Sequence, residues 1–192
     1  MGRPSQAVQG GRRPGKAVLR RKILEMMFVE ADMNDPIASS VQRLISGGQT
    51  GADRAALDVA LALDIPHGGW VPRGRRAEDG PLDARYQMQE TPYDEVSVRT
   101  LWNVRDSDAT VIFTHGPLMG GSALTWECAV CLHKPCLHLD LNDGDEAEAL
   151  ARLRSWLRQH HPRTLNVAGP RASADPNIYG AVRRVLEQLL AR

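Results

Sequence analysis

From Val41 onward the chain alternates short apolar runs with stretches whose apolar positions recur every three or four residues. The runs Val41–Ser46, His67–Val71, Ala109–Thr114, Cys136–Leu141 and Thr164–Ala168 read as strands. Ala109–Thr114 (ATVIFT) is apolar along its length, as a strand covered on both faces should be. Helical spacing marks Ala52–Leu63, where Ala52, Ala55, Ala56, Val59, Ala60 and Leu63 share a stripe. It marks Glu146–His160 through Leu150, Leu153, Trp156 and Leu157. Glu95–Arg105, Ala123–His133 and Ile178–Leu190 complete a set of helices. Pro72–Asp83 (PRGRRAEDGPLD) is too rich in Pro, Gly and charge for an element and is expected as a loop.

Strands alternating with helices imply right-handed βαβ crossovers and a mostly parallel sheet. The expectation is α/β: a Rossmann-like parallel sheet of about five strands, helices on both faces, in a single domain over residues 41–192. Residues 1–40 read as a disordered basic extension, Gly/Arg/Pro/Gln-rich up to Gly15. Met26, Met27 and Met33 are alternative starts, so residues 1–32 need not belong to the native protein. An Arg-rich transit peptide is the competing reading of this segment.

Composition narrows the class. A chain of 192 residues with 42% hydrophobic and 24% charged residues can bury a core without staples. Seven of its 24 Lys+Arg and three of its 23 Asp+Glu lie in residues 1–32, leaving a body of 17 basic against 20 acidic residues. A slightly acidic body lacks the basic footprint that nucleic acid requires. No apolar stretch approaches the roughly 18 residues of a membrane span. Three cysteines, Cys128, Cys131 and Cys136, are no disulfide framework and suit a reducing compartment. The chain is therefore expected to be cytoplasmic, with no nucleic-acid or membrane partner. Cys128, Cys131, His133, Cys136 and His138 have half a zinc spacing but fall within one helix and one strand. They are expected as core residues, with no metal.

Chemistry is expected where strands end in glycine. Ligands of open parallel sheets bind outside the carboxyl ends of the strands, where the strand order reverses. Three strands end that way: at Gly47-Gly48, at Gly116 with Gly120-Gly121, and at Gly169. A helix starting after such a turn offers N–H groups and a positive dipole end to phosphate or another oxyanion. The first turn, SGGQTGADR, is neither a dinucleotide fingerprint nor a Walker loop. Its candidate ligand residues are Gly47, Gly48, Gln49, Thr50, Gly51 and Asp53, Asp53 as a helix cap or ribose partner. The second turn adds Gly120, Gly121, Ser122 and Thr125, and the third Gly169 and Arg171. Arg73 and Arg76 in the long loop are candidates for an anion clamp, against a solvated surface as the alternative. Glu127, one to two turns into its helix, suits a ribose diol or a transferred proton rather than a phosphate.

Seven strings in order resemble the putative molybdenum carrier family of Rossmann-like proteins: ISGGQTGADRAALD, GGWVPRGRRAEDGP, YQMQET, RTLWNVRDSDATVIF, GGSALT, KPCLHLDL and LNVAGPR. They run from Leu44 to about Tyr179, nearly the whole body. The resemblance implies a parallel Rossmann-like fold and a phosphorylated or nucleotide-like ligand, or molybdenum cofactor as a carried ligand. Molybdenum cofactor ends in a phosphate, which the glycine loops would fit. More distantly the chain is similar to lysine-decarboxylase-like phosphoribohydrolases, whose signature is PGGxGTxxE preceded by an arginine-bearing helix. Gly120, Gly121 and Glu127 keep that spacing and Arg99 matches the arginine. Ala123 replaces a glycine, Thr125 stands one place late and Met119 occupies the proline position.

Two functions follow as expectations. One is a carrier or sensor of a phosphorylated small molecule. The other is a nucleoside 5′-monophosphate phosphoribohydrolase using Glu127 and Arg99 as catalytic residues. Folds of this kind self-associate, so a homo-dimer or homo-tetramer is expected by analogy.

Overall fold

The computed structural model describes residues 40–191; residues 1–39 and 192, and with them the expected N-terminal extension, lie outside the described part. Strand β1 (Arg43–Ile45) leads into helix α1 (Ala52–Ala62), and β2 (His67–Gly68) follows. The chain then makes four two-residue strands: β3 (Trp70–Val71), β4 (Arg76–Ala77), β5 (Gly80–Pro81) and β6 (Gln89–Glu90). Next come α2 (Val96–Arg105), β7 (Ala109–Thr114), α3 (Gly120–Cys131) and β8 (Cys136–Asp140). Finally α4 (Glu146–His160), β9 (Thr164–Ala168) and α5 (Ile178–Leu190) close the body.

The main sheet runs β2-β1-β9-β7-β8 with every pairing parallel, an α/β Rossmann-like architecture in five strands. The last strand in sequence thus occupies the middle of the sheet. If β9 and α5 are counted ahead of β1, the order becomes the 3-2-1-4-5 half of a doubly wound fold. The three strands that end in glycine loops, β1, β9 and β7, are therefore neighbours.

The main core lies on one face, where Val111, Phe113, Leu165 and Val167 of the sheet meet α1, α4 and α5. On the other face α2 packs on α3 through Val104, Cys128 and Ala129. That face carries buried polar positions too: Asn166 donates to Thr110 at 3.2 Å between the two central strands. Among the described residues no helix is long and apolar enough to cross a membrane.

Three expectations need correction. His67–Val71 is not one strand, because Gly69 (φ 127°) breaks it while packing against the Ser46 backbone and Asn103. Pro72–Asp83 is not an unstructured loop. It holds the β4–β5 hairpin and belongs to a cap with its own small core of Leu57, Val71, Leu82 and Tyr86. The cysteines are not all core: Cys128 is buried, Cys136 half-buried and Cys131 exposed. Burial of Cys136 pushes its thiol up to about 12.

The cap is tied down by charge as well as by apolar contact. Tyr86 lies under the guanidinium groups of Arg85 and Arg54. Its hydroxyl donates to Asp58 on α1 at 2.7 Å, and Tyr179 of α5 donates to the other oxygen at 2.8 Å. Arg75, at φ 54°, donates to the carbonyls of Leu82, Asp83 and Tyr86, each at 2.9 Å. The middle arginine of the RGRR run thus organises the cap rather than a ligand.

A candidate ligand site at the carboxyl edge of the sheet

The glycines at this edge fall into two groups according to what a side chain would meet. At Gly47 it would strike the Arg99 guanidinium, and at Gly51 the carbonyl of Pro170. At Gly169 it would lie 2.6 Å from the Ala52 methyl. At Gly48, whose φ is 70°, it would meet Leu82 at 2.7 Å, inside the cap core. These four glycines serve close packing between loops. Gly120 and Gly121 differ: nothing lies within 4 Å of the position a side chain would take. They open α3, and no side chain caps that helix end. Open space beside a loop glycine is therefore found at one loop of the three.

Around this end the loops are cross-linked. Ala52 N–H donates to Pro170 O at 3.2 Å, and Ala172 N–H donates to Thr50 Oγ1 at 3.0 Å, joining the β1 and β9 loops. Gln49 Oε1 accepts from Glu78 N–H at 2.8 Å, and the Glu78 carboxylate accepts from the hydroxyls of Thr50 and Ser173. Arg171 stands 3.6 Å from the same carboxylate. The hydroxyl of Ser173 first, then that of Thr50, holds the Glu78 carboxyl below its ordinary range. Gln49, Thr50 and Arg171 are thereby brought together, but by Glu78, which lies in the segment expected as a loop and is not a candidate from the sequence.

Asp53 and Arg99 form a largely buried pair. Arg99 Nη1 donates to Asp53 Oδ2 at 3.3 Å, with side chains 15% and 5% exposed. Gln49 N–H donates to the same oxygen at 3.3 Å. Burial pushes the Asp53 carboxyl up against the opposing pull of Arg99 and the backbone N–H groups of Gln49 and Gly47. Arg99 Nε is buried without a partner. Asn103, one turn on, grips the Trp70 backbone at 2.7 and 3.0 Å.

The remaining candidates are dispersed. Arg73 and Arg76 both pair with Asp94, with side chains 65% and 63% exposed, so the proposed clamp is closed on a carboxylate. Ser122 is buried, and Thr125 Oγ1 donates back to Gly121 O at 2.8 Å. Glu127 is exposed on α3, while the ion-pair partner of Arg99 is Asp53. No hydrogen bond or ion pair joins the two residues expected to be catalytic. Among the described residues no group of three or more His, Cys, Asp or Glu could hold a metal ion.

One pair escaped the sequence altogether. His115, the residue after β7, places Nδ1 2.7 Å from Asp175 in the β9 loop. The two are 60 residues apart in the chain, and only the adjacency of β7 and β9 joins them.

The model of the circularly permutated YpsA SLOG family matches residues 44–190. A crystal structure described as a "Putative molybdenum carrier protein" from Syntrophus aciditrophicus SB shares 53% sequence identity. The match covers 79% of this chain and 96% of that one, with a TM-score of 0.78. No curated protein matches the chain.

Proposed function

Because the chain belongs to the circularly permutated YpsA SLOG family, we propose that it is a cytoplasmic binding protein, carrier or sensor, for a phosphorylated, nucleotide-like small molecule. The observation carrying this reading is the open glycine pair Gly120–Gly121 at an uncapped helix end, at the carboxyl edge of a central strand. An anion there accepts backbone N–H groups and meets the positive end of α3. The carrier name of the 53%-identical protein adds molybdenum cofactor to the ligands worth testing, since its terminal phosphate has the same chemistry. The test is native mass spectrometry of protein purified from its own host, followed by calorimetric titration with inorganic phosphate, nucleotides and molybdate. Binding of phosphorylated ligands that Gly121→Val removes supports the reading. Equal affinity in both proteins overturns it.

The alternative, a phosphoribohydrolase, draws on the spacing of Gly120, Gly121 and Glu127. The exposure of Glu127 and the engagement of Arg99 by Asp53 favour the binder. Self-association to a dimer or tetramer belongs to the same proposal. Its support is the apolar surface of α2 and α3: Val96, Leu101, Trp126 and Val130 are 51%, 39%, 36% and 55% exposed, and Met119, just before α3, 74%.

A further inference from the structure

His115 lines a cleft of about 150 Å³ together with Leu141, Asp145, Glu146, Ala181, Arg184 and Val185. The cleft lies between the loop that follows β7 and helices α4 and α5. Its polar groups are mostly acceptors, each carboxylate already holding one or two donors. Asp145 Oδ1 accepts the Glu148 N–H at 2.9 Å as the cap of α4. Glu146 accepts from Arg184 Nε and from Gln188 Nε2, each at 2.9 Å. Asp175 is not itself a lining residue; its side chain, 15% exposed, accepts from Asn177 N–H at 3.1 Å through Oδ1 and holds His115 Nδ1 through Oδ2.

That last contact fixes the imidazole. A carboxylate on Nδ1 selects the tautomer with hydrogen on Nδ1 and leaves Nε2 a lone-pair acceptor. Asp140, beside this loop, holds the backbone instead of the ring. Its Oδ1 accepts Gly116 N–H at 2.7 Å and Asn142 N–H at 2.9 Å. His138 Nε2 is likewise engaged, 2.7 Å from Thr114 Oγ1. The cleft thus offers an oriented ring nitrogen and carboxylate lone pairs, with Arg184 its one donor-rich side chain. Its complement is a donor-rich molecule. A volume of this size takes a few water molecules or one small hydroxylated ring, not a nucleotide.

We propose that this cleft is a subsite for the hydroxyl groups of a sugar-like ligand, with His115 Nε2, oriented by Asp175, accepting one hydroxyl hydrogen. His115 and Gly120 are five positions apart in the chain, so their Cα atoms lie within about 18 Å of each other. A phosphorylated sugar is then the ligand class shared by both places. Only the phosphate arm of the test below rests on the function proposed above.

The test uses the whole chain and four probes: ribose, a small alkylamine, inorganic phosphate and ribose 5-phosphate. Nitrogen NMR of the His115 ring in the free protein should show hydrogen on Nδ1 and a bare Nε2. Ribose alone should shift the Nε2 signal, and Asp175→Asn should weaken that response. Ribose 5-phosphate should bind at least about fivefold more tightly than phosphate, the worth of one added hydrogen bond. His115→Phe should erase that excess and leave phosphate affinity alone. A ring with hydrogen on Nε2 overturns the proposal. So does a ribose 5-phosphate preference that survives His115→Phe, or a cleft that responds to a small alkylamine and not to ribose. If phosphate binds nowhere, the anion seat at Gly120–Gly121 fails, while the ribose response of His115 still decides the subsite.

Discussion

Tyr86 of the cap and Asp58 of α1 are joined by a 2.7 Å hydrogen bond, and Asp58 also accepts from Tyr179 of α5 at 2.8 Å. One carboxylate therefore fastens the cap to two helices of the main core. Burial first, then Asp58, pushes the Tyr86 phenol above its ordinary value, so it stays a donor at any working pH. Tyr86→Phe should cost about 1.5–3 kcal/mol, the range for a hydrogen bond to a charged group. Tyr86→Ala should cost about 3–5 kcal/mol, since the ring is 1% exposed and its loss leaves a cavity. Urea denaturation of the two variants measures both values.

The glycines of the edge should separate under mutation. Gly121→Val faces open space, so the protein should keep its melting temperature and lose the phosphorylated ligand. Gly48→Val forces a branched side chain into φ 70° and against Leu82, costing stability by about 1–3 kcal/mol from the backbone alone. Its defect should appear in thermal melting before it appears in binding. Both glycines are candidate ligand residues from the sequence; the cap core behind Gly48 gives that position a packing role instead.

Glu127→Gln distinguishes the binder from the phosphoribohydrolase. The binder releases no free base from nucleoside monophosphates above the uncatalysed rate, and Glu127→Gln changes affinity alone. A hydrolase would lose about 10²–10⁴-fold in turnover with that carboxylate. Chromatography of reaction mixtures for free base reads the outcome.

Glu78 gives the cap a pH dependence of definite sign. Its carboxyl is depressed by hydrogen bonds from Ser173 and Thr50, so its contribution is present above the ordinary glutamate value near about 4.3 and is lost as pH falls through the lower folded value. Amide exchange of residues 74–82 should therefore accelerate in acid relative to the core strands. Glu78→Gln should show the faster exchange already at neutral pH.

The apolar surface of α2 and α3 predicts a concentration-dependent assembly. Analytical ultracentrifugation should find a dimer or larger, and Trp126→Glu combined with Val130→Glu should return it to monomer without lowering the melting temperature. A wild-type monomer at high concentration would remove self-association from the proposal.

How much of this was legible in the sequence depends on the range of the interactions. Ala109–Thr114, Glu146–His160, Thr164–Ala168 and Ile178–Leu190 could be bounded from periodicity, because burial against a face repeats along the element itself. Helix α3 was placed three residues late, since Gly120 and Gly121 are poor helix formers and start the helix only because β7 delivers the chain there. The glycine loops were visible as punctuation, but which glycine faces a neighbour and which faces space is set by Arg99, Leu82 and Pro170, all distant in sequence. Glu78 and the His115–Asp175 pair were illegible for the same reason: each partner is ordinary until strand order makes it adjacent.

The place of β9 in the sheet also bears on how the chain is made. Synthesis delivers β1 and β2 as one parallel pair and β7 and β8 as another, and each pair has an unpaired inner edge until residues 164–168 leave the ribosome. Those edges are templates for foreign strands, and pairing across more than a hundred residues is slow to form. Between the emergence of residues 136–140 and that of residues 164–168 the nascent protein is two half-sheets awaiting one central strand. Chaperone demand should be concentrated in that interval and end once β9 has paired with β1 and β7.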